Sequence, residues 1–160
     1  MFPPNFLTSD RISCQQELTS KKAIFQHLAA LLASNTANLD SKSVFLQLLE
    51  RERLGNTGLG MGIALPHARM AGVAGPIGAL IQLKTGVAFE AVDESPVDLV
   101  FGLLVPVDAR EEHLQLLARI AGLFSQPHFC MELRNARSPD QMLRLMEGWE
   151  TLSLRAAGSR

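Results

Sequence analysis

The chain contains no tyrosine, one tryptophan (Trp149) and two cysteines in 160 residues. Cys14 and Cys130 stand far apart, without the paired spacing of a zinc site or a redox motif. Two isolated thiols are expected to stay reduced in a cytoplasmic protein. No apolar run approaches the roughly 20 residues that a membrane-spanning helix needs. The start, Met1-Phe2-Pro3-Pro4-Asn5-Phe6-Leu7, lacks the basic lead and small-residue cleavage site of a signal peptide, so the cytoplasm is the expected location. Charge of one sign is also missing. The formal net charge is −1, which sets up no field to draw nucleic acid or an acidic membrane, and neither is expected as a partner.

What is present is enough apolar material for one core: hydrophobic residues are 47% of the chain and charged ones 19%. Residues 1–18 carry no sustained period and read as an arm. Ser20 is a suitable N-cap for a helix with Ala23, Ile24, His27, Leu28, Leu31 and Leu32 at helical spacing. Asp40 or Ser41 opens a second helix, with Val44, Phe45, Leu48 and Leu49 on one face, and Gly55 stops it. Residues 63–65, 78–84 and 97–105 read as strands. The last is apolar enough to be central, and Pro106 closes it. Residues 87–90 suggest a short edge strand. A long helix follows over about 110–124, with Leu114, Leu117, Ile120, Ala121 and Phe124 facing inward. Shorter helices are expected near 129–135 and 139–147, the second capped by Ser138, and the residues after Trp149 look loose. Helices before, between and after strands make one α/β domain the economical arrangement.

The run Gly55-Asn56-Thr57-Gly58-Leu59-Gly60-Met61-Gly62-Ile63-Ala64-Leu65-Pro66-His67 stands out. A dinucleotide fingerprint needs its glycines between a strand and a helix, whereas here they lie between a helix and a strand. A P-loop needs a lysine after its last glycine, and none follows. The glycines can simply permit tight turns, or their backbone N–H groups can line an anion pocket.

Pro66 stiffens the approach to His67 and displays it at a strand end, as a nucleophile, a general base or a metal ligand. A metal would need further ligands, and His27, His113 and His128 show no ligand pattern. His27 and His128 read as structural. His113 lies in the first turns of the helix after the central strand, an edge favoured for sites in α/β folds. Arg51 and Arg53 end the second helix, where cations suit the helix dipole. A guanidinium there can also turn toward His67 and neutralise a phosphoryl group.

The stretch from Arg51 to His67 closely resembles the active-site signature of the fructose/mannitol class of enzyme IIA proteins of the bacterial phosphotransferase system, a class that includes the nitrogen-regulatory enzyme IIA. The resemblance takes in Ser20-Lys21-Lys22, Phe89-Glu90-Ala91-Val92-Asp93, Pro96-Val97-Asp98-Leu99-Val100-Phe101, Leu103-Leu104-Val105-Pro106 and His113-Leu114. It implies a mixed sheet flanked by helices in one domain over 19–149, with an arm at 1–18 and a tail at 150–160. It further implies that His67 is phosphorylated at Nε2 by an HPr-like phosphocarrier, that His113 is a second active-site histidine, and that Arg51 lies near the phosphoryl group. No cofactor and no metal are implied. A stand-alone domain favours the nitrogen branch, which acts on regulatory protein targets. Two alternatives are a sugar-specific enzyme IIA that feeds a IIB domain, and a non-catalytic binding module with the same fold. Met61 and Ala68-Arg69 depart from the usual family residues.

Overall fold

The computed structural model describes residues 2–36, 38–91 and 93–158. The Ser20 hydroxyl accepts the Ala23 N–H at 3.0 Å and starts α1 (Lys21–Ala33). Asp40 takes the N–H groups of Lys42 and Ser43 and starts α2 (Ser41–Leu54). Both caps fill backbone donors that a helix end leaves empty. The strands are β1 (Ile12–Gln16), β2 (Gly58–Gly60), β3 (Ile63–Ala64), β4 (His67–Met70), β5 (Ile77–Val87) and β6 (Val97–Pro106). Then come α3 (Arg110–Phe124), α4 (Pro127–Asn135) and α5 (Pro139–Gly158).

The sheet is mixed, in the order β1-β5-β6-β3-β2, with β4 also on β6. β6 is parallel to β3 and β4 and antiparallel to β5, while β1 runs parallel to β5. Side chains of β6 alternate between the two faces, as the strand period requires. Leu99, Phe101, Leu103 and Val105 join Ile120, Phe124, Phe129 and Met142 in one core. Val100 and Leu104 join Ile24, Leu28 and Leu48 in the other. Because both faces are covered, β6 has no need of a polar side after Asp98, which is why residues 99–106 read as an apolar run.

The first eighteen residues are more than an arm. A 3-10 turn at Ser9–Arg11 leads into β1, and Phe6 is fully buried. Arg11 is buried as well, and its guanidinium donates to the carbonyls of Gly78 and Phe6. A five-residue strand that is half-buried along most of its length shows little apolar period, which is why it does not announce itself. The expected loose tail is also corrected: α5 continues through 150–158, while Ser159 and Arg160 lie outside the described residues, as do Met1, Ala37 and Val92. Residues 88–90 are not a strand, although Phe89 is buried. On α3 the buried stripe is His113, Leu116, Ile120, Leu123 and Phe124, and Leu114 is 69% exposed. The stripe is turned by one position because His113, rather than Leu114, faces inward.

At Gly102 in β6 an added Cβ would lie 2.6 Å from Leu28 Cδ1 and 2.7 Å from its Cγ, so α1 rests directly on this backbone. Replacing Gly102 with Ala is expected to destabilise the fold by about 1–3 kcal/mol through overpacking. The midpoint of urea unfolding measures it.

Candidate functional site

Residues 63–70 run beside β6, but their ladder breaks at 65–66. β3 pairs Ile63 and Ala64 with Leu99 and Val100, and β4 resumes with His67 opposite Leu103. Pro66 has no N–H to donate, and its carbonyl accepts the Leu103 N–H at 3.0 Å. The Leu65 carbonyl turns to the imidazole two residues on, whose Nδ1–H donates to it at 2.8 Å. With the proton on Nδ1, the lone pair of a neutral ring is on Nε2. Burial lowers the His67 pKa. The bond to Leu65 and the charge of Glu52 act against that shift, and Arg51 adds to it.

His113 is the fourth residue of α3, only 9% exposed, with its ring centroid 5.3 Å from that of His67 and the planes at 76°. Burial, then the neighbouring His67, Arg69 and Arg51, push its pKa down to about 4. Its Nε2 is buried and has no hydrogen-bond partner among the described residues. A buried ring nitrogen without a partner is uncommon, because leaving it unmade is costly. Here it lies beside the one histidine whose second nitrogen is kept basic.

Arg51 is half-buried. Its Nη1 donates to the Gly55 carbonyl at 2.9 Å, and its charge is felt at both rings. Arg69, which was not among the expected site residues, is exposed on β4, and its charge reaches His113. The period of a strand held the signal: residue i+2 from His67 lies on the same face. Two neutral imidazoles within reach of two guanidiniums make a place suited to an anion. His27 is bound at Nε2 to Ser13 Oγ at 2.7 Å, and His128 is exposed at the start of α4, so neither joins the pair. Among the described residues no group of His, Cys, Asp or Glu could hold a metal ion.

The glycines do another job than cradling an anion. Gly60, Met61 and Gly62 all have positive φ (88°, 57° and 84°) and turn β2 back into β3. The Asp93 carboxylate accepts the Met61 N–H at 2.8 Å, and Arg134 donates to the Met61 carbonyl at 2.8 Å while ion-paired to Asp98. The Thr57 and Gly58 amides go to Glu52 and to Asn56 Oδ1. β3 begins opposite Leu99 and β4 opposite Leu103, so the turn is roughly 13 Å of strand away from His67. The anion-pocket reading of this turn is therefore withdrawn.

The geometry has relatives. Residues 5–148 match the family described as Phosphoenolpyruvate-dependent sugar phosphotransferase system, EIIA 2. A nitrogen regulatory protein of Pseudomonas aeruginosa is 41% identical over 127 residues, covering 79% of this chain and 82% of that protein. The crystal structure of nitrogen regulatory protein IIA-Ntr from Neisseria meningitidis superposes with a TM-score of 0.83 at 40% identity, over 88% of this chain and 95% of that one. The IIA mannitol structure from Escherichia coli shares the fold, with a TM-score of 0.72 at 21% identity over 87% and 97% of the two chains. The chain belongs to the EIIA 2 family of the phosphotransferase system and is a phosphotransferase component of it. Among the described residues no helix is long and apolar enough to cross a membrane.

The histidine pair predicts a pH dependence of stability. The His113 pKa falls from 6.5 to about 4 on folding, so between these values the unfolded chain binds more protons than the folded one. Stability from this residue is full above pH 6.5 and declines as pH falls toward 4, by at most about 1.4 kcal/mol per pH unit. Urea midpoints from pH 7 to pH 4 are expected to fall less steeply in His113→Gln than in the wild type.

Proposed function

We propose that His67 carries a phosphoryl group on Nε2, received from an HPr-like phosphocarrier, and that the protein is the regulatory enzyme IIA of a nitrogen phosphotransferase system. The reading rests on one observation above others: the Nδ1–H of His67 is held by the Leu65 carbonyl, and its Nε2 lone pair is left for attack. In the transfer that lone pair attacks phosphorus in line. The new N–P bond forms as the bond from phosphorus to the carrier breaks, and the carrier keeps that electron pair. No proton has to leave Nε2 first, because the lowered pKa keeps the ring neutral. Phosphoryl transfer asks mainly for position and for charge around the moving group. Arg51 supplies charge, and the unpartnered His113 Nε2 supplies a nitrogen that can meet a phosphoryl oxygen.

Addition of the group changes the charge by nearly −2 at one small face. That change is how the phosphorylated and free forms would be told apart by regulatory protein targets in the cytoplasm. The nitrogen branch is supported by the names and identities of the relatives from Pseudomonas aeruginosa and Neisseria meningitidis.

The protein incubated with phosphoenolpyruvate, enzyme I and a carrier of the HPr type is expected to gain one acid-labile phosphoryl group by mass. His67→Ala should gain none. His113→Ala should still be labelled but pass the group on more slowly. Labelling of His67→Ala would remove the site assignment, and a wild type that no carrier labels would favour a module that works by contact alone.

A further inference from the structure

We infer that Lys21, Glu52 and Thr57 are positioning residues for His67: they form a relay of hydrogen bonds that ends on the Leu65 carbonyl and so fixes which nitrogen of the imidazole carries the proton. This builds on the phosphoryl-carrier reading, but its first readout is independent of it. The Glu52 side chain is only 8% exposed and yet charged. Its carboxylate accepts the Thr57 N–H at 3.1 and 3.2 Å and the Thr57 hydroxyl at 2.5 Å, and Lys21 Nζ lies 2.7 Å away. Thr57, itself buried, accepts the Leu65 N–H on its carbonyl at 2.9 Å. Leu65 in turn accepts the Nδ1–H of His67 at 2.8 Å. Each link holds the residue that makes the next.

Two features make this more than a local tie. Lys21 is the first residue of α1, at the helix end where the dipole disfavours a cation, and no acidic residue shares that turn. Its ammonium is held instead by Glu52 and by the Phe89 ring, 4.8 Å from the centroid. Glu52 sits one residue from Arg51 on α2, and its negative charge is felt at His67, where it would oppose an incoming phosphoryl group. With Lys21 against it, the carboxylate can act as a hydrogen-bond acceptor without presenting a net charge to the site. The relay thus joins the start of α1, the end of α2 and the glycine run to one tautomer.

The test reads the His67 tautomer by the Cδ2 and ring-nitrogen chemical shifts of the full chain at a pH where the ring is neutral, for wild type, Glu52→Gln, Thr57→Val and Lys21→Met. The wild type is expected to be Nδ1–H, and the variants to show a growing Nε2–H population. Transfer from a phosphorylated carrier should slow by about tenfold or more through misplacement of the nucleophile. Lys21→Arg and Thr57→Ser should restore both readouts. Folded variants that keep His67 wholly Nδ1–H overturn the relay, even if their melting temperatures fall, since a merely structural role moves stability and leaves the tautomer alone. If Glu52→Gln does not fold, Thr57→Val decides by the same criterion. A wild type that no carrier labels, together with a tautomer shift in the variants, removes the phosphoryl-carrier reading and leaves the relay standing.

Discussion

A single hydrogen bond, from His67 Nδ1–H to the Leu65 carbonyl, sets the terms for the whole site. It lies at the gap between β3 and β4, where Pro66 stands beside β6 without an N–H to donate. The Leu65 backbone faces away from β6, its N–H donating to the Thr57 carbonyl. The proline removes one donor and with it the reason for the ladder to continue at that residue. The resulting gap is two residues long, the reach of an imidazole back to the carbonyl of residue i−2. The imidazole is therefore oriented by backbone, which is harder to displace than a side chain.

Electrostatics then favour neutral rings over charged ones. Burial and the Arg51 guanidinium depress both histidines, and the neighbouring His67 and Arg69 depress His113 further. A site of this kind has basic nitrogens at neutral pH and positive charge only on Arg51 and Arg69. An anion arriving there meets attraction from the arginines without the nucleophile having been quenched by a proton. The same arrangement costs acid stability, since every histidine held neutral in the fold takes up its proton more readily when unfolded.

The residues of the candidate site were legible because they break local rules. A proline at the edge of a strand, a histidine after it and a histidine at a helix start all stand out from apolar periodicity, and β6, α1, α2 and α3 follow from period and caps. The elements that stayed hidden obey no strong local rule. β1 is a short strand whose burial comes from distant partners, β5 and α5, and three-residue β2 is defined only by its pairing with β3. Leu114 misleads because a leucine outranks a histidine on any apolar scale, yet the helix turns His113 inward. Glu52 and Thr57 sit five residues apart across a helix end and look like solvated polar residues. Their bond forms only once Gly55 has stopped α2 and the chain has folded back.

The glycine run shows why a motif has to be divided before it is explained. Its Gly60–Gly62 end builds a hairpin whose left-handed backbone, including a methionine at φ 57°, is held at the N–H by Asp93 and at the carbonyl by Arg134. Its Thr57 end anchors Leu65, and only its last residue, His67, stands beside His113. A carrier must both accept and release a phosphoryl group, so interactions that hold the bound group tightly would slow the second transfer as much as they help the first. The site fits that requirement. Arg51 already donates to Gly55, so it offers long-range charge more than a dedicated clamp, and the amides of Gly55, Thr57, Gly58 and Met61 are engaged elsewhere. On the proposed reading the backbone bond to Leu65 holds the imidazole while little holds the group it would carry, which is the distribution a transient covalent intermediate needs.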